Sequence, residues 1–387
     1  MKSEIIPVKA SIVRGGTSKG IFILENELPK DKELRDKYVL EIFGSPDVRQ
    51  IDGLGGADVL TSKLAIVGPS SREDCDVDYT FGQVSFVDSL VDYKSNCGNI
   101  SAGVGPFAIA NSLVKAVEPY TTVRIHQVNT DTVIIAKVEV KDGMPVYDGD
   151  CHIDGVPTDG SPIELDFSDS AGGITGKLLP SGNVTDVITT EDGKTYEVSM
   201  VDAGIPTVFI KAESLGLSGI ETPQEIEADQ KLMEKIEEIR GRCAVIMGIC
   251  SDYKNSVKES AYAPFFSMVS PACDYHTFDG KDICGKEIDI VSRLVFMQKM
   301  HKTHPGTGTV AMGSCARIPG SIVHQVLSER GKNSRTIIIG HPAGIIPVVS
   351  ELEVKGENEF ELKNAAILRT ARIIMDGTVY VRKSRIQ

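Results

Sequence analysis

The hydrophobic positions of this chain fall into two series of short apolar runs, and each series contains one helix that is apolar on most of its surface. Val104, Phe107, Ala108, Ile109, Ala110, Leu113 and Val114 follow a polar turn that contains a cysteine, Cys97. They cover most faces of a helix, so the pattern predicts a buried helix opening near Gly98 rather than an amphipathic one. Short strands are expected over 5–13 and 20–25 around the turn 14–20, over 64–67, in a paired stretch over 78–95, and near 121–127 and 132–140. Residues 31–43 read as a charged, exposed helix, and 52–58 as a flexible glycine-rich loop. From about 141 to 200 the chain is rich in Gly, Asp, Ser and Thr, which predicts a crossing between two domains.

The second half echoes the first in order. Gly204-Ile205-Pro206-Thr207-Val208-Phe209-Ile210 resembles the run that begins at Gly16. Cys243-Ala244-Val245-Ile246-Met247-Gly248 resembles Leu64-Ala65-Ile66-Val67-Gly68, and Gly306 to Met312 opens a second apolar helix. An amphipathic acidic helix is expected at 222–240, and another helix from Asp289 through Arg293 to His301. Three matches in one order predict a duplicated α+β unit, and a duplication commonly places its site where the halves meet.

Composition narrows the class. With 387 residues the chain is long enough for two domains. It is 41% hydrophobic and 25% charged, and its net charge of −13 argues against nucleic acid or an anionic membrane as a partner. No apolar run approaches membrane-spanning length, and residues 1–7 lack a signal-peptide core. The eight cysteines contain no CxxC pair and the seven histidines no HExxH. Free thiols in a reducing cytoplasm are therefore expected, with no metal and no cofactor.

Candidate chemistry gathers at four places. Cys97, ahead of Gly98 and Asn99, stands at a helix start, where free N–H groups favour a thiolate and hold a carboxylate; the bland alternative is a buried structural cysteine. Arg14-Gly15-Gly16-Thr17-Ser18-Lys19-Gly20 combines cations, hydroxyls and glycines in a turn suited to anions. It is not a nucleotide loop of the Walker type, because Lys19 precedes Gly20. Lys63 opens a strand after a glycine-rich loop, where a lysine alone is usually solvated. His341 leaves the buried strand 336–339, a common location for a binding histidine.

Taken together, Arg14 to Gly20, Asp52 to Gly56, Ser95 to Asn99, Asp202 to Thr207, the His301 region with Ile318-Pro319-Gly320, and Gly340 to Gly344 resemble the PrpF family along nearly the whole chain. That resemblance implies an α+β fold like that of diaminopimelate epimerase. Two similar domains each roll a mostly antiparallel sheet around a central helix, with the active site in the cleft between them. The expected domains are 1–185 and 186–371, with a strand at 372–387 returning to the first.

The resemblance also implies a cofactor-independent isomerase that moves a proton across an unsaturated di- or tricarboxylate. Methylitaconate to dimethylmaleate is the leading conversion, with methylaconitate and oxalomesaconate as alternatives, or a non-catalytic accessory role beside a dehydratase. Cys97 and Lys63 become the acid and base, and Thr17, Ser18, Gly98, Asn99, His301, Gly306, Thr307 and His341 the substrate contacts. A homo-oligomer is expected. Related epimerases use two cysteines, one from each half. Here the second helix opens Pro305-Gly306-Thr307, and Cys315 lies about two turns deeper, so a two-thiol mechanism is disfavoured.

Overall fold

Strands at the two ends of the chain pair with each other, and this decides how the computed structural model divides. One unit comprises Met1–Leu165 with Arg369–Gln387, the other Asp166–Leu368. The structure describes residues 4–94 and 96–387. Met1 to Ser3 of the amino-terminal segment, and Ser95 of the stretch before Cys97, lie outside the described residues.

In the first unit β1 (Ile5–Gly15) and β2 (Ser18–Leu24) form a hairpin. β2 runs parallel to β3 (Lys63–Pro69), β3 antiparallel to β4 (Val77–Val84), β4 parallel to β5 (Tyr120–Gln127), and β5 antiparallel to β6 (Thr132–Lys141). The C-terminal strand Ala371–Arg382 closes on β1, from Ile5 opposite Arg382 to Gly15 opposite Ala371.

Alternation along β2 sorts its side chains into two layers. Ile21 and Ile23 pack with Val39, Ile42 and Phe43 of helix α1 (Lys32–Phe43), so this charged helix is not wholly exposed; it buries one stripe. Phe22 faces the other way, onto helix α2 (Gly98–Ala110). Twelve of α2's thirteen residues, Gly98 to Ile109, are buried. A methyl group added at Gly103 would strike Phe22 and Val13, and one at Gly105 would meet Val138 and Ala136. Strands β1, β2 and β6 therefore touch different faces of one helix, so the sheet is rolled around it. Leu113 and Val114 fall beyond α2: Asn111 caps it, and Ser112 turns the backbone left-handed at φ 59°.

The second unit repeats the same succession of pairings. β7 (Thr195–Ala203) and β8 (Ile205–Lys211) form a hairpin, and helix α3 (Gln230–Ile246) packs beside it. β8 runs parallel to β9 (Phe265–Pro271), and β9 antiparallel to β10 (Ile290–Phe296). The central helix is α4 (Gly306–Ala316). β11 (Thr336–His341) then pairs parallel with β10 and antiparallel with β12 (Gly344–Gly356). Gly308 abuts Leu294 and Phe265, while Gly313 abuts Val348, so α4 too is wrapped by its sheet.

Four expectations change. Cys243 to Ile246 are the last turn of α3, not a strand; the counterpart of β3 is β9. The segment 289–301 is not a helix: β10 is a strand with all seven residues buried, followed by the short strand Lys299–Met300. The acidic helix at 222–240 is two helices broken at Asp229, Pro223–Ala228 and α3. Residues 166–185, expected in the first domain, pack within the second. Phe167 N donates to Ala365 O at 3.0 Å, and the Asp202 carboxylate accepts from Ile174 N and Thr175 N at 3.0 and 2.7 Å.

Candidate active site

The anion turn is tighter than its sequence suggests. β1 continues to Gly15 and β2 begins at Ser18, so only Gly16 and Thr17 form the turn. Gly16 has φ 49°, the left-handed value that a two-residue hairpin of this hand requires at its first position. The Arg14 guanidinium is engaged within the fold. Its Nη1 donates to Gly16 O at 3.1 Å and to Thr370 O and Oγ1 at 3.0 Å. Gly16 N donates to Thr370 O at 2.8 Å, which fastens the turn to the returning strand.

Ser18, Gly20 and Phe22 share one face of β2. Phe22 abuts Gly103 and Gly20 abuts Ile100, so this face steps along α2 toward its start. Ser18, two residues further on, reaches the level of the first turn. It is 2% exposed, and its hydroxyl has no hydrogen-bond partner among the described residues. Lys63 lies opposite Gly20, and Ala65 opposite Phe22, which puts Lys63 on the same α2-facing side of the sheet.

Lys63 is 3% exposed. Its Nζ donates to Gln83 Oε1 at 3.0 Å and lies 5.2 Å from the centre of the Phe81 ring. Gln83 in turn gives its amide to Ser62 O at 3.0 Å and Val59 O at 3.3 Å, so only its oxygen is left to face the lysine.

Cys97 is the N-cap residue of α2, 8% exposed, with extended backbone. Ser101 N and Oγ both donate to its carbonyl, at 2.9 and 3.0 Å, and Ser101 Oγ also reaches Asn96 Oδ1. Asn99 Nδ2 donates to Thr17 Oγ1 at 3.0 Å, and Asn99 Oδ1 accepts from Arg369 Nε at 3.0 Å. Burial brings the Arg369 guanidinium down to about 10, against the upward pull of Cys151 and Cys97 nearby. The first unit thus gathers Thr17, Ser18, Lys63, Cys97, Gly98 and Asn99 around the start of α2. Gln83 and Arg369 join them without any signal in the local sequence.

In the second unit Pro305 is the N-cap of α4, followed by Gly306 and Thr307. The hairpin glycine Gly204 abuts Thr307 as Gly16 abuts Asn99, so Pro305 stands where the first unit has Cys97. His304 is buried in a relay. Its Nδ1 is 2.8 Å from Thr309 Oγ1 and its Nε2 3.1 Å from Ser292 Oγ, which lies 2.9 Å from Ser267 Oγ. Thr309 gives its hydroxyl proton to Pro305 O, so it accepts from Nδ1–H, and in a neutral ring Nε2 then accepts from Ser292.

His301 is buried, with Nδ1 accepting from Thr303 N at 3.2 Å and its ring 5.2 Å from that of Phe296. His341 ends β11, and its ring centre lies 6.4 Å from that of His304. The second unit therefore brings Gly306, Thr307, His304 and His341 together at the start of its own helix, while His301 packs beside Phe296 and Thr303. Cys315 is buried in the body of α4, where burial pushes its thiol up to about 12. No group of three or more His, Cys, Asp or Glu among the described residues could hold a metal ion.

Two sheets of one topology, each rolled around a buried helix whose start collects polar groups, define the class of the epimerase-like folds. A hydroxyproline epimerase from Agrobacterium vitis shares this fold, with a TM-score of 0.56 at 13% identity over 97% of this chain and 93% of its own. The model of the PrpF protein family matches residues 5–382, and the chain belongs to that family. The 3-methylitaconate isomerase of Eubacterium barkeri is 52% identical over 99% of this chain and 100% of its own. The 2-methyl-aconitate isomerase of Shewanella oneidensis is 37% identical over 98% of each. A crystal structure of methylitaconate-delta-isomerase superimposes with a TM-score of 0.86, at 52% identity over 100% of this chain and 98% of that one.

Proposed function

We propose that the protein is an isomerase that moves a proton between the ends of an allylic system, converting 3-methylitaconate to 2,3-dimethylmaleate. The observation that carries the reading is the convergence at the start of α2: Cys97 at the helix cap, Lys63 on the facing strand, and the unpartnered Ser18 hydroxyl beside them. Full-length identity of 52% to a 3-methylitaconate isomerase supports the substrate.

The carbon acid is weak because deprotonation spreads negative charge into a group that already carries carboxylates. The N–H groups of Gly98 and Asn99, the hydroxyls of Thr17 and Ser18 and the Lys63 ammonium offset that charge. One of Cys97 and Lys63 takes the proton from the carbon next to the carboxylate. The electron pair moves through the double bond, and the other residue returns a proton at the far carbon. Atoms and charge balance with no redox partner. His301, Gly306, Thr307 and His341 are the second unit's candidates for holding a carboxylate in this reading. Self-association is supported by the apolar side chains Ile374, Met375 and Tyr380 exposed along the C-terminal strand.

Incubating the purified protein alone with methylitaconate in deuterated water, followed by NMR, tests the proposal. Dimethylmaleate carrying solvent deuterium is the expected product. No conversion of methylitaconate beside rapid conversion of methylaconitate or oxalomesaconate would move the substrate within the family. No conversion of any of the three would favour the accessory role.

A further inference from the structure

We propose that Arg369 is a positioning residue for the chemistry at Cys97: its guanidinium fixes the Asn99 carboxamide, and through it Thr17, and sets a positive charge beside the thiol. The inference rests on the reading of Cys97 as a reacting group.

A carboxamide can face a neighbour with its oxygen or its nitrogen. An arginine has only donors, so the atom 3.0 Å from Arg369 Nε must be the Asn99 oxygen. The amide nitrogen is then committed to Thr17 Oγ1, and Thr17 must accept there, which turns its own O–H away from Asn99. One guanidinium thus decides the orientation of two polar groups at the helix start.

The packing allows little alternative. A Cβ at Gly16 would sit 2.3 Å from Asn99 Oδ1 and 3.0 Å from Arg369 Cδ, so the hairpin glycine is what lets the pair close over the turn. Arg369 is fully buried, a costly place for a charge that serves packing alone. Arg369 bonds the side chain of Asn99, two residues past Cys97 at the same helix start, so its guanidinium charge lies in the neighbourhood of the thiol. A lysine would keep the charge but lose the planar fork that holds the amide.

The test uses two thiol reagents of similar size, anionic iodoacetate and neutral iodoacetamide, with peptide mapping of Cys97. A positive charge at this helix start should favour the anionic reagent by roughly tenfold over its ratio with a free thiol. Arg369→Gln should cut that preference severalfold, leaving the part due to Lys63 and the helix start, and Arg369→Lys should keep most of it. Turnover should fall in both, by roughly a hundredfold through lost geometry, with a smaller change in KM. Asn99→Asp leaves Arg369 a partner but offsets its charge, so it too should weaken the preference.

An unchanged reagent ratio in Arg369→Gln, or in Asn99→Asp where the glutamine variant does not fold, overturns the proposal. So does a wild-type Cys97 that resists both reagents. The readout needs no substrate. If methylitaconate is not isomerised but the reagent preference follows Arg369, the proposed reaction fails and this inference stands.

Discussion

The first and second units solve one folding problem in the same way and then diverge at a single place. Each presses a hairpin glycine against the second residue of its central helix, Gly16 on Asn99 and Gly204 on Thr307. The capping residue ahead of that contact is Cys97 in one unit and Pro305 in the other. A proline cap carries no thiol, so the ionisable groups near the second helix start are histidines, His301, His304 and His341. The surrounding polar groups differ in the same sense. The first unit offers a buried cation beside a carboxamide; the second offers a histidine whose two ring nitrogens are both engaged within the fold. The duplication supplies two anion-ready helix ends, and the proposed mechanism draws its thiol from one.

The strongest way to break this comparison is to disarm the first unit. Cys97→Ala and Lys63→Ala should each lower turnover by roughly a hundredfold to ten-thousandfold, the usual contribution of a positioned acid or base. Circular dichroism and urea midpoints should stay close to wild type. Near-normal turnover in either folded variant would remove that residue from the mechanism and leave the helix starts equivalent.

A second experiment sharpens the contrast without mutation. An alkylating reagent should inactivate the protein by modifying one thiol per chain, Cys97, and a bound dicarboxylate should protect it. Cys315 and Cys243 should stay unmodified in the folded protein, because both are fully buried and burial raises both thiols. If Cys315 labels in step with lost activity while Cys97 stays free, the assignment between the units is reversed.

The smallest expected effect compares what anchors each hairpin. Arg14 ties the first turn to Thr370, whereas in the second unit Asp202 ties down Ile174 and Thr175. Burial pushes the Asp202 carboxyl above its ordinary value of 3.8, outweighing the Thr175 and Ile174 donors. The folded state therefore holds that proton more tightly than the unfolded chain. The associated stability is fully present below 3.8 and is lost as pH rises through the folded value. Asp202→Asn cannot titrate, so the wild-type urea midpoint minus that of the variant should fall over this range. A difference that rises instead would show a carboxylate stabilised as the anion.

The sequence was most legible where one physical requirement dominated. The central helix could be read because it is apolar all round, and the hairpin because Gly16 and Gly204 mark left-handed turns. It was least legible where burial is two-sided. Ile290 to Phe296 show no alternation because both faces of β10 are covered, and a short apolar run of that kind fits helix or strand equally well. Cys243 to Ile246 misled in the opposite direction, as the apolar last turn of an otherwise amphipathic helix. At the site, Cys97 and the Thr17–Ser18 turn carry local signatures. Lys63 does not; it gains meaning from its register opposite Gly20. Arg369 was invisible because its partner Asn99 lies 270 residues away in the chain.

The pairing of β1 with Ala371–Arg382 has a consequence for the order in which the molecule is completed. The second unit is one uninterrupted stretch set inside the first. A ribosome working at about 5–20 residues per second therefore releases β1 long before the strand that covers it, on the order of tens of seconds earlier. Through that interval β2 can occupy one edge of β1 while the other stays open. The later-made unit can finish first, and the earlier-made unit must wait for it. Arg369 arrives with the same closing segment, so its contact with Asn99 forms only after residues 166–368 have emerged. Closure of the first sheet and formation of that contact are then a single late event.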